Sequence, residues 1–501
     1  MEGVSMSAVA TVGVIVLCIM RIYFMKGPLN WPLAGMVPWI LWHIGNIYEE
    51  GCKLVLEKGG TFIVRGPWFL RSNLFEVVTH TPDNVQYILK ENFSNFPKGP
   101  YFKEVFFHTF GHGIFTSDDE LWKRQRKPTV MAVSSSIFKD RNLKMLQKSL
   151  QEKLLPLIEE LKEKKASVDL QQLLVEFTMD NFFMAIFGRE AENGTFTSAF
   201  DEATECCIYR FVCPSFAWKF MRFFNIGFEK SLKEAEAIVK GSVTEMVKAR
   251  VKELENDKEL QGDILSNFIK LERDQGRTPS QEVLEGLAMS MFLAGKDTTG
   301  LAMSWFFWFI CMHPHVEEKI VSELSQILKS KHLSDGYDTS KVFGWEELRS
   351  MNYLQAALSE TMRLRPPVPA VFREAIIDTV LPDGTHIKKG TKCLVFIYAT
   401  NRMESTWGKD ALEFKPERWI GKGGVYMNQS EYKYPVFVAG PRICVGKDLA
   451  YANMKCIVAN ILARYRVKLE AGHQVKPKLG ITLFMKHGLK VTLHARNDIL
   501  P

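Results

Sequence analysis

The segment FVAGPRICVG, residues 437–446, carries the most specific information about the fold of this 501-residue chain. Gly440 and Gly446 allow the backbone to bend sharply and to approach a flat ligand closely. Cys444 stands just ahead of residues 447–466, which are predicted to be helical, and loop amides together with a helix N-terminus stabilise a thiolate. The pattern indicates a metal-binding cysteine, and the alternative is an inert cysteine in a loop before a helix.

A haem iron explains the other residue types of this segment. Cys444 as a thiolate would be the axial iron ligand and push electron density towards the O–O bond. Arg442 is expected to pair with a haem propionate, and Phe437 to shield the sulfur. The chain thereby resembles the cytochrome P450 superfamily. The resemblance implies haem b as cofactor, electrons from NADPH through NADPH-cytochrome P450 reductase, and a lipophilic small-molecule substrate that reacts with O2.

A second motif, AGKDTT at residues 294–299, interrupts a long apolar stretch. Asp, Thr and Gly are unfavourable in the middle of a helix, so a compensating role is expected. The resemblance implies that Thr298 donates a hydrogen bond to the dioxygen and that Asp297 organises the protons reaching it. The alternative is a threonine pair that bonds back to the preceding turn and only kinks the helix. Ala294 has no carboxylate for a covalent bond, so haem is expected to bind non-covalently.

A third pattern joins charges from two distant segments. Glu360 and Arg363 are spaced i, i+3 on a predicted helix, and the segment FKPERW follows at residues 414–419. The resemblance implies a buried ion triad of Glu360, Arg363 and Arg418 that serves folding and haem retention, because loss of one member leaves an uncompensated charge. The alternative is a solvated surface pair.

Three residues are expected at the haem propionates. The resemblance assigns Trp122 and Arg126 of the segment WKRQR, and Arg373 further along the chain, to propionate binding. The neighbouring bases form either a docking face for the reductase or an ordinary solvated helix surface: Lys123, Arg124 and Lys127.

Finer features resemble plant fatty-acid ω-hydroxylases within the superfamily. The segments GIFTSD, SWFFW, VLPDG, RMESTWG and LFMKHG, which begin at residues 113, 304, 380, 402 and 483, carry this likeness, whereas residues 128–136 depart from it. The implied reaction is terminal hydroxylation of fatty acids, which requires the methyl end to be held over the iron. Relatives of the branch also oxidise alkanes, steroids or alkaloids. Matching the family's recognition segments gives these candidate pocket residues: Phe102, Phe106, Met289, Phe292, Leu293, Ala370, Val371 and Leu483.

A different reaction class is a haem-thiolate isomerase or dehydratase, which rearranges peroxides without using O2. Asp297 and Thr298 argue against this class, because such enzymes need no proton relay.

The N-terminal part predicts a membrane anchor. Residues 4–20 are apolar apart from small hydroxyl side chains, and Arg21 and Lys26 follow on the C-terminal side. This distribution favours an uncleaved single-pass anchor, residues 1–26, over a signal peptide, in the endoplasmic reticulum membrane with the catalytic domain in the cytosol. Proline-rich residues 27–40 are predicted to form a non-helical hinge, and residues 41–501 the catalytic domain. In this orientation the sequons stay unmodified: Asn92, Asn193 and Asn428.

Composition and periodicity complete the prediction. Hydrophobic residues make up 46% and charged residues 24%, which excludes a disordered chain, and the net charge of +7 comes without a dense basic run, so no nucleic-acid partner is expected. The nine cysteines form no CxxC pair, which argues against zinc and for a reducing compartment. Helices are predicted at residues 144–162, with a bend at Pro156, at 169–187, with Asp169 as N-cap and Gly188 as the C-terminal stop, and at 280–311. Strands are predicted at 61–65, 73–79 and 392–397. The expected fold class is mainly α with small β-sheets, which is the triangular helical domain of a cytochrome P450.

Overall fold

The computed structural model describes residues 35–64, 66, 76–189, 194–256, 262–335 and 343–496. The described part is mostly helical. Its α-helices, in chain order, are α1 (Val37–His43), α2 (Ile47–Lys58), α3 (Pro82–Gln86), α4 (Gly99–Phe110), α5 (Asp119–Ser134), α6 (Ser136–Ser149), α7 (Leu155–Glu163), α8 (Leu170–Phe187), α9 (Gly194–Val212), α10 (Ser215–Phe224), α11 (Phe228–Asn256), α12 (Ile264–Asp274), α13 (Gln281–Met312), α14 (Pro314–Asp335), α15 (Trp345–Ser350), α16 (Asn352–Leu364), α17 (Ile397–Thr400), α18 (Glu404–Trp407) and α19 (Lys447–Arg464). The strands are β1 (Phe62–Ile63), β2 (Val77–Thr79), β3 (Val168–Asp169), β4 (Val371–Glu374), β5 (Thr379–Val380), β6 (His386–Ile387), β7 (Lys392–Val395), β8 (Tyr465–Leu469) and β9 (Lys490–Ala495).

The strands of the described residues form three small sheets. The largest has the order β1-β2-β7-β4, in which β2 and β7 are parallel and the other pairs antiparallel. The second has the order β3-β9-β8, and β5 and β6 form a two-stranded hairpin. This arrangement confirms the expected class, mainly α with small sheets.

Helix α13 is the central element of the core. Buried residues follow it from Leu284 to Ile310, and α8 packs along its length. At Gly295 a β-carbon would lie 1.9 Å from the Phe182 ring of α8, so only glycine allows the two helices to approach this closely. The glycine in the middle of α13 therefore has a packing role as well as its place in the oxygen motif.

The caps of α8 follow the sequence pattern. The Asp169 carboxylate accepts hydrogen bonds from the amides of Gln171 and Gln172, and Gly188 ends the helix in the left-handed conformation at φ 69°. Both assignments are confirmed. Helix α13 also spans the predicted residues, with Ser280 at its N-cap position.

Several predicted boundaries are wrong. Pro38 lies in the first turn of α1, where a missing amide proton costs nothing, so residues 37–40 are helical rather than part of a stiff hinge. The helix after Cys444 ends at Arg464 instead of 466, because Tyr465 begins a strand that pairs with β9. The strand predicted at 392–397 ends at Val395, and Ile397 starts α17.

Residues 144–162 also differ in detail from the prediction. Helix α6 passes into a π-helical turn, Leu150–Leu154, before α7 begins, so the irregularity comes before Pro156.

The predicted anchor, residues 27–34 of the predicted hinge, and residues 65 and 73–75 of the predicted strands lie outside the described residues. Within the described ranges, no helix combines the length and the apolar character that crossing a bilayer requires. The eight described cysteines are all free thiols.

Candidate haem site

The loop that carries Cys444 is closed by its own backbone. The Cys444 amide donates to the Phe437 carbonyl at 2.8 Å, and Gly440 has φ 66°. A β-carbon at Gly440 would lie 2.1 Å from the Leu89 carbonyl oxygen, so glycine is required there for conformation and for space. Gly446 has φ −90°, which any residue adopts, so the expectation of special backbone freedom is wrong at that position. Its missing side chain instead leaves open space near the sulfur, since a β-carbon would lie 3.9 Å from Cys444 Sγ.

The environment of Cys444 combines two properties that rarely occur together. Its side chain is solvent-accessible, yet burial raises the pKa of its thiol. Both the accessibility of the side chain and the raised pKa of its thiol are explained if protein encloses the sulfur and the sulfur still borders open space. We infer that Cys444 lies in a deep cavity. The Gly446 amide and the positive charges of Arg126 and Lys447 oppose the effect of burial on the pKa. A thiol in such a place becomes a stable thiolate when a metal cation stands opposite it.

The predicted propionate residues gather beside this loop. Arg126 of α5 donates a hydrogen bond to the Ile443 carbonyl, next to Cys444. The Arg442 guanidinium lies 4.5 Å from the Trp122 ring centroid. Arg373 of β4 is 3% exposed and donates to the Phe372 carbonyl at 2.7 Å. The structure thus brings together all four side chains that the sequence assigned to this task.

Two further residues belong to this cluster and were missed from sequence. Asp118 accepts a hydrogen bond from Arg442 at 2.7 Å and others from the backbone amides of Lys98 and Gly99. The Lys98 ammonium donates to the Phe115 carbonyl and lies 3.8 Å from the Phe115 ring centroid. Both residues come from short loops with no periodic pattern. Two signals were available: Lys98 is a single charge between Pro97 and Gly99, and Asp118 ends the segment GIFTSD, to which no role was assigned.

The charges of this cluster do not balance. We name it the open cluster and define it as Lys98, Asp118, Arg126, Arg373 and Arg442. Burial lowers the pKa of every basic member, and that of Lys98 falls well below its usual value. The Nε atoms of two of the arginines are buried without a hydrogen-bond partner. Two propionates would supply the missing negative charge and acceptors, so the residues fit a haem.

In its middle, where most residues are buried, helix α13 presents a narrow accessible stripe. Met291 and Thr298 are half-buried and Ala294 is exposed, and their spacing puts them on one face of the helix. Thr298 Oγ1 donates to the Ala294 carbonyl at 2.5 Å, which is the back-bonding that the alternative interpretation describes. Asp297 is buried 3.1 Å from the Lys296 ammonium, and burial raises the pKa of its carboxyl.

The candidate pocket residues fall into two groups. Phe102 and Phe106 of α4 belong to an aromatic cluster with Phe115, Phe211 and Phe372, with ring-centroid distances such as 5.2 Å for Phe102–Phe115 and 5.3 Å for Phe106–Phe211. Ala370 and Val371 are partly buried beside the core. These residues remain candidates for the pocket wall.

The others of that list lie in the core. Phe292 has no exposed surface, and its ring centroid lies 4.5 Å from that of Phe183. Leu483 has no exposed surface either, and its carbonyl accepts a hydrogen bond from the Trp305 indole. Phe106, which stays a candidate, is almost as buried, with 2% exposed, so burial alone does not decide and the pocket assignment of Phe292 and Leu483 also stays a prediction. Met289 and Leu293 are 3% and 5% exposed and point away from the accessible stripe. Counting back in helical steps from Thr298 would have found Ala294 and Met291 instead.

The predicted ion triad is confirmed as a geometry. Glu360 and Arg363 have no exposed side-chain surface and pair at 2.8 Å, and Arg418 reaches Glu360 at 3.1 Å. The Trp419 indole donates to the same carboxylate at 2.9 Å. We call Glu360, Arg363 and Arg418 the triad.

Comparison with known proteins agrees with this site. The family model described as Cytochrome P450 matches residues 25–494. The chain is 43% identical to Cytochrome P450 86B1 of Arabidopsis thaliana over 482 residues, which cover 93% of this chain and 85% of that protein. Noroxomaritidine synthase 1 of Narcissus pseudonarcissus is 33% identical and Alkane hydroxylase MAH1 of Arabidopsis thaliana 33%, with 94% and 93% of this chain and 91% and 92% of those proteins covered. The chain therefore belongs to the cytochrome P450 family, whose members are monooxygenases that bind haem through a cysteine thiolate and receive electrons from a reductase.

Proposed function

We propose that this enzyme hydroxylates the terminal carbon of fatty acids. The observation that carries the proposal is the apolar, aromatic cluster of Phe102, Phe106 and Phe372, which lies beside the open cluster because the Lys98 ammonium stands 4.4 Å from the Phe102 ring centroid. An alkyl chain gains about 0.8 kcal/mol for each methylene that it buries against such a surface. The likeness to plant fatty-acid ω-hydroxylases in five sequence segments and the relative named alkane hydroxylase support the same substrate chemistry.

Each residue of the site has a task in this proposal. Cys444 would provide the thiolate that binds the haem iron, and the four basic residues of the open cluster together with Trp122 would hold the propionates. Haem, when bound, supplies the oxygen-activating chemistry, and the protein supplies ligation, orientation and protons. Phe437 would shield the sulfur once haem is bound, and its ring is held in place by Tyr451, 5.4 Å away between ring centroids.

Thr298 and Asp297 serve the delivery of protons. The Thr298 hydroxyl borders the accessible stripe, and rotation about its Cα–Cβ bond turns it from the Ala294 carbonyl towards a ligand. Asp297 lies one residue earlier, where its raised pKa allows proton exchange closer to neutral pH. We expect Thr298→Ala to keep the haem spectrum but to divert electrons into hydrogen peroxide, measured as peroxide per NADPH consumed. Unchanged yields of product per NADPH would contradict the role of Thr298.

The substrate is tested by product analysis. Microsomes that contain the enzyme and its reductase are supplied with NADPH and, separately, with C12–C24 fatty acids, alkanes, a sterol and a phenolic alkaloid. ω-Hydroxy acids are the expected products. Oxidation confined to alkanes, sterols or alkaloids would overturn the fatty-acid assignment and leave the monooxygenase class intact. Cys444→Ala is the control, since without its thiolate the reduced, CO-bound protein loses the thiolate-type Soret band.

One observation favours a second candidate. The rings around Phe102 would also stack against an aromatic alkaloid, and a relative is named noroxomaritidine synthase. The phenolic alkaloid in the panel distinguishes this possibility from chain hydroxylation.

The membrane is the expected location of the enzyme. Helix α10 exposes Phe216, Phe220 and Phe223 by 63%, 56% and 82%, which suits the interface of a bilayer. We propose an endoplasmic reticulum protein with one N-terminal span and a cytosolic catalytic domain. In that orientation Asn92 and Asn428 never meet the glycosylation machinery, so endoglycosidase treatment of the microsomal protein should leave its gel mobility unchanged.

The basic face of α5 is proposed to receive the reductase. Lys123 and Arg124 have 62% and 53% exposed side chains, and Lys127 is also exposed, while Trp122 and Arg126 of the same helix face the open cluster. A partner bound here would stand close to the proximal loop, and its association would weaken with salt.

A further inference from the structure

Lys296 is a buried cation inside the oxygen motif. Its side chain has no exposed surface, and its carbonyl accepts a hydrogen bond from Thr178 of α8 at 2.9 Å. An ammonium group is costly to bury unless carboxylates pair with it. Lys296 has two carboxylate partners, Asp201 of α9 and its own neighbour Asp297 at 3.1 Å.

These two partners stand in different environments. The side chain of Asp201 is 50% exposed, whereas that of Asp297 is 4% exposed. Oδ1 of Asp297 is buried without a hydrogen-bond donor, because its contact with Lys296 has the distance of an ion pair but not the geometry of a hydrogen bond. One ammonium group thus connects a carboxylate at the surface to the carboxylate of the oxygen motif.

We propose that Asp201 is a positioning residue for proton delivery. It holds one side of the Lys296 ammonium, keeps that charge from pairing with Asp297 alone, and so leaves Asp297 free to take up and release protons. The proposal rests on the proton-delivery role proposed above for Asp297. The proposal assumes nothing about which residue ligates the haem or which substrate is oxidised.

The charges around Asp297 determine in which direction its pKa changes when Asp201 or Lys296 is replaced. Burial raises the pKa of Asp297, Lys296 lowers it, and Asp201 raises it, while a hydrogen bond from Thr482 lowers it. On the side of α9, Lys296 also faces the Phe200 ring, which carries no charge. Neutralising Asp201 leaves Lys296 to act on Asp297 alone, so the pKa of Asp297 falls. Removing Lys296 raises that pKa instead.

The test uses the holoenzyme with its reductase, NADPH and hexadecanoic acid as the probe substrate, and measures product and peroxide per NADPH against pH. Asp201→Asn should lower the product yield several-fold near neutral pH and move the alkaline limb of the profile to lower pH. Lys296→Met should move that limb to higher pH. Glu202→Gln, an exposed neighbour on α9, is the matched control and should change nothing, and Asp201→Glu should restore the profile.

A second readout does not depend on turnover. In urea unfolding of the holoprotein, Asp201→Asn and Lys296→Met should be non-additive, with the double variant less destabilised than the sum of the two. Additive effects, limbs that move in the same direction, or an Asp201→Asn profile equal to that of Glu202→Gln would each overturn the proposal. If hexadecanoic acid is not oxidised, the C12–C24 panel described above decides the fatty-acid assignment, and the peroxide profile still decides about Asp201. If Asp297→Asn leaves coupling unchanged, it is the role of Asp297 that fails.

Discussion

The triad and the open cluster are both buried groups of charges, and they differ in how completely their members are paired. In the triad, Arg363 bonds Glu360 through two nitrogens and reaches the carbonyls of Asn401 and Ala411, so each of its nitrogens has a partner. In the open cluster, four basic residues share one carboxylate, Asp118, and two guanidinium nitrogens have no partner.

The difference separates two uses of buried charge. A closed network stabilises the fold by itself and has nothing to offer a ligand. An open network carries an electrostatic cost that only an anion removes, so its members contribute to retention of that anion rather than to the fold. Variants of the two clusters should therefore affect different measurements.

The largest effect is expected at the triad. Glu360→Gln leaves the Arg363 guanidinium buried without a counter-charge, so the free energy of unfolding should fall by about 3–5 kcal/mol. Urea denaturation of the holoprotein measures it. The control is Glu417→Gln, because Glu417 pairs with Lys319 at the surface and its loss should cost about 1 kcal/mol or less. Equal losses in the two variants would contradict the closed-network interpretation.

In the open cluster, Arg373→Met should act on haem retention. The rate of haem transfer to apomyoglobin should rise about 10–100-fold, the equivalent of one charge-assisted hydrogen bond, while the urea stability of the haem-free protein changes little. Arg466→Met, which replaces an exposed arginine on β8, is the matched control. A destabilised fold with an unaltered transfer rate would show that Arg373 belongs to a structural network after all.

The pH dependence sharpens the same contrast at Lys98. Burial and the neighbouring arginines hold the pKa of Lys98 well below 10.5. A propionate favours the ammonium form and raises that pKa, so haem binding takes up a proton in the interval between the two values. Haem transfer should therefore accelerate as pH rises through this interval, by up to about tenfold per unit. The haem-free fold should respond in the opposite sense, because loss of the buried charge stabilises it.

Lys98→Met tests whether Lys98 is the group that takes up this proton. The variant should lose haem faster near neutral pH and show a flatter pH dependence than the unchanged protein. A pH slope that survives the substitution would mean that another group takes up the proton.

The smallest effect is expected at the rim of the open cluster. Lys103 pairs with Asp118 at 3.3 Å, but its side chain is 43% exposed, so water screens the pair. Lys103→Gln should change unfolding free energy by about 1 kcal/mol or less and haem transfer less than Arg373→Met does. A large effect on transfer would place Lys103 among the propionate ligands.

How well the sequence predicted these features depended on the range of the interactions. The cap residues of α8 and the Glu360–Arg363 spacing are local, and both predictions hold. Lys98 and Asp118 could not be found this way, because their meaning comes from loops that meet Arg442 only in the folded protein. No periodic pattern records such a meeting.

The predicted pocket residues differ in where they lie relative to the accessible stripe. Recognition segments locate a pocket to within one helical turn, but the turn has several faces and only one is accessible. The choice of Phe292 put the side chain between α8 and α9, whereas the accessible face of α13 carries Ala294. Likewise, Pro38 stopped no helix, because at the first turn proline is compatible with one.

The close contact between Gly440 and the Leu89 carbonyl determines the order of steps during synthesis of the chain. Leu89 leaves the ribosome early, while Cys444 is made near the end of synthesis. The Cys444 loop cannot pack until the segment of Leu89 and the segment of Gly440 have both been made. The early segments of the nascent chain therefore remain without their final packing partner through most of synthesis, alone or bound to chaperones. Insertion of the cofactor is on this view one of the last steps of biogenesis, and ribosome-bound chains stalled before Cys444 should carry none.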